Sequence, residues 1–144
     1  MGGMQIFFIA LADRTRRRIL NLIREDEICV SYFTEVLEIS QPKISRHLAY
    51  LRNTGIVSAR REGKWMYYRI VEPEDFYAAQ ILRKTLDWLE SQERMQKDYA
   101  KLSLLLDSQN ISSSVYPSSQ VNIFDETHIS CASAEKKELE IFLL

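Results

Sequence analysis

Two short amphipathic segments joined by three residues, with a strand-forming stretch directly behind them, constrain the fold of this chain more than any other feature. Each segment, SYFTEVL and QPKISRHLAYLRN, repeats apolar residues at helical spacing. The apolar positions are Phe33, Val36 and Leu37 in the first segment and Ile44, Leu48 and Leu51 in the second. Ser40 can cap the second helix, Pro42 is tolerated in its first turn, and Gly55 ends it. Two helices with so short a connection predict a helix-turn-helix.

The stretch IVSARREGKWMYYRI after the second helix predicts a β-hairpin. Residues 56–61 and 65–70 are rich in β-branched and aromatic side chains, and Glu62, Gly63 and Lys64 supply the turn. A hairpin directly behind a helix-turn-helix is a wing. We therefore expect a mainly α fold with a small β-hairpin, which is a winged helix-turn-helix.

The segments on both sides of this unit predict further helices. Residues 4–11 are almost continuously apolar, so a helix there needs a partner surface on most of its sides. From Pro73 to about Leu106 the pattern predicts one long helix of about 50 Å, which is too long for so small a domain to cover. Its near-heptad positions are Ile81, Trp88, Met95, Tyr99, Leu102 and Leu106. We therefore expect a homodimer formed through the first and last core helices.

Charge and composition divide the chain unequally. Residues 1–71 carry twelve Lys or Arg against seven Asp or Glu, whereas residues 72–144 carry seven against thirteen, although the net charge is only −1. The basic first half is thus the candidate for contact with phosphate. Serine becomes frequent beyond Asp107, which predicts a domain over residues 1–107 and a linker and C-terminal tail over residues 108–144.

The chain has no feature typical of membrane insertion, secretion or catalysis. Its longest strongly apolar stretch, residues 6–12, is too short to span a bilayer. Cys29 and Cys131 lie far apart and follow no metal-binding spacing, so we expect a cytoplasmic protein without a cofactor. A phosphate-binding Gly loop, a nucleophile elbow, a metalloprotease helix and a paired His/carboxylate cluster are all missing from the sequence, which predicts that the protein is not an enzyme.

The polar side chains of the second helix suit a recognition helix, because the N-terminal part of such a helix enters the major groove. These side chains are Gln41, Lys43, Ser45, Arg46 and Tyr50, with His47 at the border of the apolar stripe. Gln can pair with adenine, Arg or Lys with guanine, and Ser with either base. The pattern predicts contact with double-stranded operator DNA, and a solvated polar helix face is the alternative.

Cations also flank the turn of the predicted wing. From this turn Arg60, Arg61 and Lys64 can contact the phosphate backbone or reach the minor groove. Arg60 and Arg61 point to opposite faces of the strand, so they cannot share one role. A hairpin tip that is merely soluble is the alternative. Arg14 and residues 16–18 spread around another helix, where a solvated face is more typical than DNA contact.

The segments ALADRTRRRILNLI and EICVSYFTEVLEISQPKISRHLAYLRNTGIVSARREGKWMYYRI together resemble the ArsR/SmtB family of bacterial and archaeal metalloregulatory repressors. The resemblance covers about residues 6–106, and ISRHLAYLRNTGIV followed by REGKWMYYRI is its most specific part. It implies a dimeric winged helix that binds operator DNA as a repressor. The chain departs from the family at Arg14, where proline is usual. It departs again at Glu38, which replaces a turn glycine and would lose about 1 kcal/mol in a left-handed conformation.

The sensor sites that the resemblance implies are incomplete in this chain. Arsenic-responsive members begin the third helix with Cys-Val-Cys, whereas this chain has Cys29 followed by Ser31. Zinc-sensing members use Asp/His pairs in the last helix, and residues 74–106 contain no histidine. Trivalent metalloids prefer several thiolates, so we expect Cys29 to be an ordinary buried residue. Two alternatives remain: a thiol-based arsenic, antimony or redox sensor using Cys29 and Cys131, and a protein-interaction winged helix that does not bind DNA.

Overall fold

The structure, a computed structural model, describes residues 2–114, which form six α-helices and one three-stranded antiparallel sheet. The elements are α1 (Gly2–Ala12), α2 (Arg14–Leu22), β1 (Ile28–Cys29), α3 (Val30–Leu37), α4 (Gln41–Asn53), β2 (Val57–Glu62), β3 (Trp65–Ile70), α5 (Phe76–Glu90) and α6 (Glu93–Ser114). This architecture confirms the predicted mainly α fold with a small hairpin. The predictions for the C-terminal tail, Cys131 included, lie outside the described residues. Within residues 2–114 no helix is both long and apolar enough to cross a membrane.

The helix-turn-helix consists of α3 and α4, whose predicted apolar faces are buried in the core. The buried side chains are Phe33, Val36 and Leu37 on α3 and Ile44, Leu48 and Leu51 on α4. Between the helices Glu38 has the left-handed conformation that its position predicts, with φ 55° and ψ 40°. Its N–H donates to the carbonyl oxygen of Thr34 at 3.0 Å, which closes α3. Burial of the two apolar faces outweighs the roughly 1 kcal/mol that this conformation costs.

The wing is the hairpin of β2 and β3, which pair in antiparallel register over their whole length. This register leaves a two-residue turn of Gly63 and Lys64, in which Gly63 has φ +60°. A short third strand, β1, pairs with the other edge of β3, so that Cys29 lies opposite Tyr67. The start of α3 is therefore joined directly to the wing.

The single long helix predicted from Pro73 to about Leu106 was wrong, because the structure has two helices separated by a turn at Ser91 and Gln92. The N–H groups of Ser91 and Gln92 donate to carbonyl oxygens three residues back, at 3.1 and 2.9 Å, which ends α5. The turn allows α6 to fold back against α2. α5 also begins later than predicted, since Asp75 caps it by accepting a first-turn N–H at 2.8 Å.

The turn divides the near-heptad stripe into two surfaces. Trp88 on α5 remains 51% exposed, whereas Met95 and Leu102 on α6 are buried within the chain. Leu89, the neighbour of Trp88, is fully buried as well. The stripe therefore does not form one continuous exposed surface, and Trp88 alone among its six positions is exposed.

Polar contacts within the core hold α6 to α2. Arg18 and Asp98 form a bidentate ion pair with N···O distances of 2.7 and 3.0 Å, and both side chains are almost completely buried. Asn21, also buried, donates from Nδ2 to the carbonyl oxygen of Met95 at 2.9 Å. α6 continues to Ser114, seven residues past the predicted domain boundary at Asp107, and the rest of the predicted tail lies outside the described residues.

Candidate nucleic-acid interface

The outward face of α4 carries two cations that have no partner among the residues the structure describes. Lys43 and Arg46 are exposed, and they lie one turn apart on the side away from the buried stripe. Both positions fall in the N-terminal half of the helix, which is the part that reaches base edges in a helix-turn-helix. The side chains that the sequence predicts for base contact are thus accessible at these two positions.

Two other predicted contacts on α4 lie on its inner side. Ser45 is fully buried, which corrects the prediction that its hydroxyl contacts a base. The reason is its place beside Ile44, at the edge of the stripe that packs on the core. Gln41 is half-buried, and its Nε2 atom, like Oγ of Ser45, is buried without a hydrogen-bond partner within residues 2–114.

His47 and Tyr50 border the outward face of α4 but contact the beginning of α2. Nδ1 of His47 lies 3.6 Å from Oδ1 of Asp13, and the guanidinium carbon of Arg16 lies 4.3 Å from the centre of the Tyr50 ring. Burial lowers the pKa of His47, and the charge of Arg16 acts in the same direction against the opposite effect of Asp13. His47 therefore meets Asp13 as a neutral imidazole near neutral pH.

The pKa of Asp13 also departs from its ordinary value. Burial raises this pKa, but a hydrogen bond from the backbone N–H of Arg16 and the charges of His47 and Arg16 outweigh burial, so that the net shift is downward. Asp13 thus stays a carboxylate that accepts the α2 capping bond at 2.9 Å.

Arg60 in the wing is engaged within the chain. Its Nε and Nη2 donate to the carboxylate of Glu27 at 3.0 and 2.8 Å, and its Nη1 donates to Glu62 at 2.6 Å. The guanidinium carbon also lies 5.0 Å from the centre of the Tyr67 ring. These bonds hold the pKa of Arg60 above its usual range, and the bonds from Arg60 lower the pKa of Glu27. We therefore leave Arg60 out of the proposed interface.

The tip of the wing presents the other two predicted cations. Arg61, next to the last residue of β2, and Lys64, in the turn, are both exposed, and Nε of Arg61 donates to the carbonyl oxygen of Gly63 at 3.3 Å. Arg61 lies opposite the buried Met66, so it occupies the face of the hairpin that does not carry Arg60. The predicted separation of the two arginines is confirmed.

The arginine cluster of α2 has three members with internal partners. Arg16 donates to the carbonyl oxygens of Ile9 and Ala10, and Arg17 donates to those of Leu11 and Ala12, at 2.7–3.0 Å. Arg18 pairs with Asp98 as described above. Arg14 is the exposed member of the cluster.

Asp98 and Glu27, the acidic partners of Arg18 and Arg60, were not predicted from the sequence. Asp98 has a signal in the sequence, because it lies between Met95 and Leu102 at positions that share one helix face, and a charge on a buried stripe requires a partner. Glu27 has no such signal. Glu27 is the last of three consecutive acidic residues, and the sequence does not indicate which of the three contacts Arg60.

The beginning of α3 holds the only sulfur of the EICVSYF segment. Cys29 is 5% exposed, and the hydroxyl of Ser31 donates to its Sγ at 3.7 Å. Among residues 2–114, no three His, Cys, Asp or Glu side chains are grouped so that they could hold a metal ion.

Proteins similar in sequence to this chain are named as transcription regulators. Residues 13–59 match the family model described as bacterial regulatory protein, arsR family. The chain is 46% identical to the arsenic resistance transcriptional regulator ArsR1 of Pseudomonas putida over 68% of this chain and 76% of that protein. It is 41% identical to the arsenical resistance operon repressor of Escherichia coli over 76% of this chain and 95% of that protein.

Solved structures give the same result. HlyU from Vibrio cholerae matches with a TM-score of 0.54 and 27% identity over 63% of this chain and 95% of that one. The transcriptional repressor BigR from Xylella fastidiosa matches with a TM-score of 0.53 and 30% identity over 60% of this chain and 83% of that one. The predicted winged helix-turn-helix and the predicted family are both confirmed. The chain therefore belongs to the arsR family of bacterial regulatory proteins, which are DNA-binding transcription regulators and not enzymes.

Proposed function

We propose that the chain acts in the cytoplasm as a homodimeric repressor, in which Lys43 and Arg46 of α4 contact operator bases and Arg61 and Lys64 of the wing contact phosphate. The observation that carries the proposal is the exposure of Lys43 and Arg46 on a recognition helix whose other face is buried. Arginine and lysine at this place suit the O6 and N7 atoms of guanine.

The DNA proposal is tested by gel shifts at increasing salt, with a duplex selected by the protein from a random-sequence library and a scrambled duplex of the same length. We expect Arg46→Ala or Lys43→Ala to weaken binding to the selected duplex by about 1 to 3 kcal/mol and to relax one base position. A uniform loss on both duplexes assigns these residues to phosphate. Absence of binding to either duplex supports the rival function, a winged helix that binds proteins.

Exposed apolar side chains support the homodimer. Ile6, Phe8 and Ile9 of α1 are 45–51% exposed, and Trp88 of α5 is 51% exposed. An unpaired surface of this kind is typical of subunit contacts. We expect Trp88→Glu to produce monomers in sedimentation velocity and to reduce operator affinity, because a dimer places two recognition helices about 34 Å apart. Leu89→Glu, in contrast, tests folding and not assembly, since Leu89 is fully buried.

A response to metalloids is the second candidate function. The relatives named for arsenic resistance favour it, but Ser31 places a hydroxyl where arsenic-responsive members have a second thiol. We expect micromolar arsenite in reducing buffer to release little DNA, and Cys29→Ser to leave operator binding intact. Release from the full chain that is lost in Cys131→Ser and in a chain ending at Ser114 would instead establish a tail-completed thiol site.

A further inference from the structure

We propose that Arg16 is a positioning residue for DNA recognition, which holds the recognition helix α4 in a fixed orientation against the end of α1 by stacking on Tyr50. This inference rests on the proposed homodimeric operator binding. It also reassigns Tyr50, which the sequence predicts as a DNA contact, to the support of α4.

The first step is the attachment of Arg16 to α1. The last four carbonyl groups of an α-helix have no partner within the helix. In α1 these are the carbonyls of residues 9–12, and Arg16 bonds the first two while Arg17 bonds the last two. The two arginines thus complete the C-terminus of α1, where a cation is also favoured by the helix dipole. Two bonds to adjacent carbonyls fix the planar guanidinium of Arg16 relative to α1.

The second step is the contact of the same guanidinium with α4. It lies 4.3 Å from the centre of the Tyr50 ring, a distance at which a cation is attracted to the aromatic face. A parallel connection lies one turn earlier on α4, where Asp13, the N-cap of α2, meets His47 at 3.6 Å. Both contacts join the start of α2 to the recognition helix. Arg17 makes the same kind of bond to α1, but within residues 2–114 it has no hydrogen bond, ion pair or ring contact with α4.

The position of α4 relative to α1 also matters for the proposed dimer. α1 carries the exposed apolar residues through which we propose that two copies associate. The orientation of α4 relative to α1 then sets the distance between the two recognition helices, and operator half-sites must match that distance. Loss of the Arg16–Tyr50 contact is therefore expected to affect the spacing of half-sites and the affinity for the operator. The affinity for scrambled DNA, which depends on charge, is expected to change little.

Two matched pairs of variants test this role. Arg16→Gln removes the stacked cation, and Arg17→Gln removes an equal charge that also caps α1 but is not stacked on Tyr50. Tyr50→Leu removes the ring, and Tyr50→Phe keeps the ring without the hydroxyl. Each variant is measured on the selected duplex, on the scrambled duplex, and on selected duplexes whose half-sites are moved apart one base pair at a time.

We expect Arg16→Gln and Tyr50→Leu each to lose roughly three- to tenfold in affinity for the selected duplex and to tolerate altered spacing. The double variant that combines Arg16→Gln with Tyr50→Leu is expected to lose no more affinity for the selected duplex than either single variant. Tyr50→Phe is expected to bind as the unmodified chain does, and Arg17→Gln to keep its spacing preference. The inference is overturned if Tyr50→Phe loses as much as Tyr50→Leu, which would place the hydroxyl on DNA, or if Arg16→Gln and Tyr50→Leu act additively.

The same double-mutant cycle on urea unfolding of the free protein separates failure of this inference from failure of the proposed function. If residues 16 and 50 are coupled in the free protein but the unmodified chain binds neither duplex, the proposed function is rejected and the Arg16–Tyr50 contact stands. Normal operator binding without coupling in either cycle rejects the positioning role alone.

Discussion

The start of α2 and the recognition helix α4 both carry cations, but most of those on α2 bond within the chain whereas those on the outward face of α4 are exposed. On α2, three consecutive arginines, residues 16–18, bond to carbonyl groups of α1 or to the buried Asp98. On α4, Lys43 and Arg46 are exposed and have no partner among the described residues. The three α2 arginines, which form the denser cluster of positive charge, are therefore the ones whose hydrogen bonds are made within the chain.

This difference shows that a count of charges does not locate a phosphate-binding surface. A guanidinium that already makes several hydrogen bonds must lose them before it can contact DNA, whereas an exposed lysine or arginine loses only water. The same distinction separates Arg60, which Glu27 and Glu62 engage, from Lys64 at the tip of the wing.

The largest expected effect concerns the internal partners of α2. Asp98→Ala leaves Arg18 buried without its partner, and we expect this variant to lose roughly 3 to 5 kcal/mol of unfolding free energy in urea titrations. Arg18→Ala is expected to lose less, because Asp98 keeps the half-exposed Arg94, whose Nε lies 3.5 Å from its carboxylate. Arg18→Met combined with Asp98→Leu is expected to recover most of this loss. Lys97→Ala, which breaks an exposed pair with Glu93 on the same helix, is the control and is expected to change stability little. An equal effect of Arg18→Ala and Lys97→Ala would show that the internal pair is not as buried as described.

A smaller effect is expected in the wing, where the comparison is between an engaged and an exposed cation. Lys64→Ala is expected to reduce the slope of log affinity against log salt by about one unit on any DNA. Arg60→Ala is expected to leave the slope nearly unchanged, because Glu27 and Glu62 hold its guanidinium. Equal reductions in both variants would place Arg60 on phosphate and contradict the assignment. Filter binding at a series of salt concentrations gives both slopes.

The smallest effect is expected from pH. Burial lowers the pKa of His47 in the folded protein, so that on acidification His47 is protonated at a higher pH in the unfolded chain than in the folded one. The free energy of unfolding therefore falls as the pH decreases through about 6.5. Asp13 acts in a separate range, since its lowered pKa contributes stability that is lost only as the pH falls below about 4. Urea titrations between about pH 7.5 and 5.5 should show a weaker pH dependence in His47→Gln than in the unmodified chain. His128→Gln is the matched control, and an identical weakening in both variants would remove His47 as the source.

Local patterns predict the helix-turn-helix and the wing well, because the spacing of Ile44, Leu48 and Leu51 and the turn at Gly63 are properties of neighbouring residues. The break between α5 and α6 was not predictable in the same way. It is set by the packing of α6 on α2, a contact between distant segments. β1 escaped prediction because two residues show no period.

The features of the candidate site also differ in whether local sequence patterns or contacts between distant segments determine them. Exposure of Lys43 and Arg46 follows from the helical period of α4, so the sequence alone indicates it. The position of Ser45 at the edge of the apolar stripe is a local feature, but its complete burial depends on how α4 packs on other elements. The bonds of Arg60 to Glu27 join distant segments, and no local pattern contains them.

The most direct test of the difference between α2 and α4 is the ratio of affinities for the selected and the scrambled duplex, measured for Arg46→Ala and Arg17→Gln at one salt concentration. We predict that Arg46→Ala lowers this ratio by about tenfold or more, since a base contact is lost. Arg17→Gln is expected to leave the ratio unchanged, since the partners of Arg17 are carbonyl groups of α1. A ratio that falls in Arg17→Gln and is preserved in Arg46→Ala would contradict the assignment of base contact to α4 and of internal contacts to the α2 arginines.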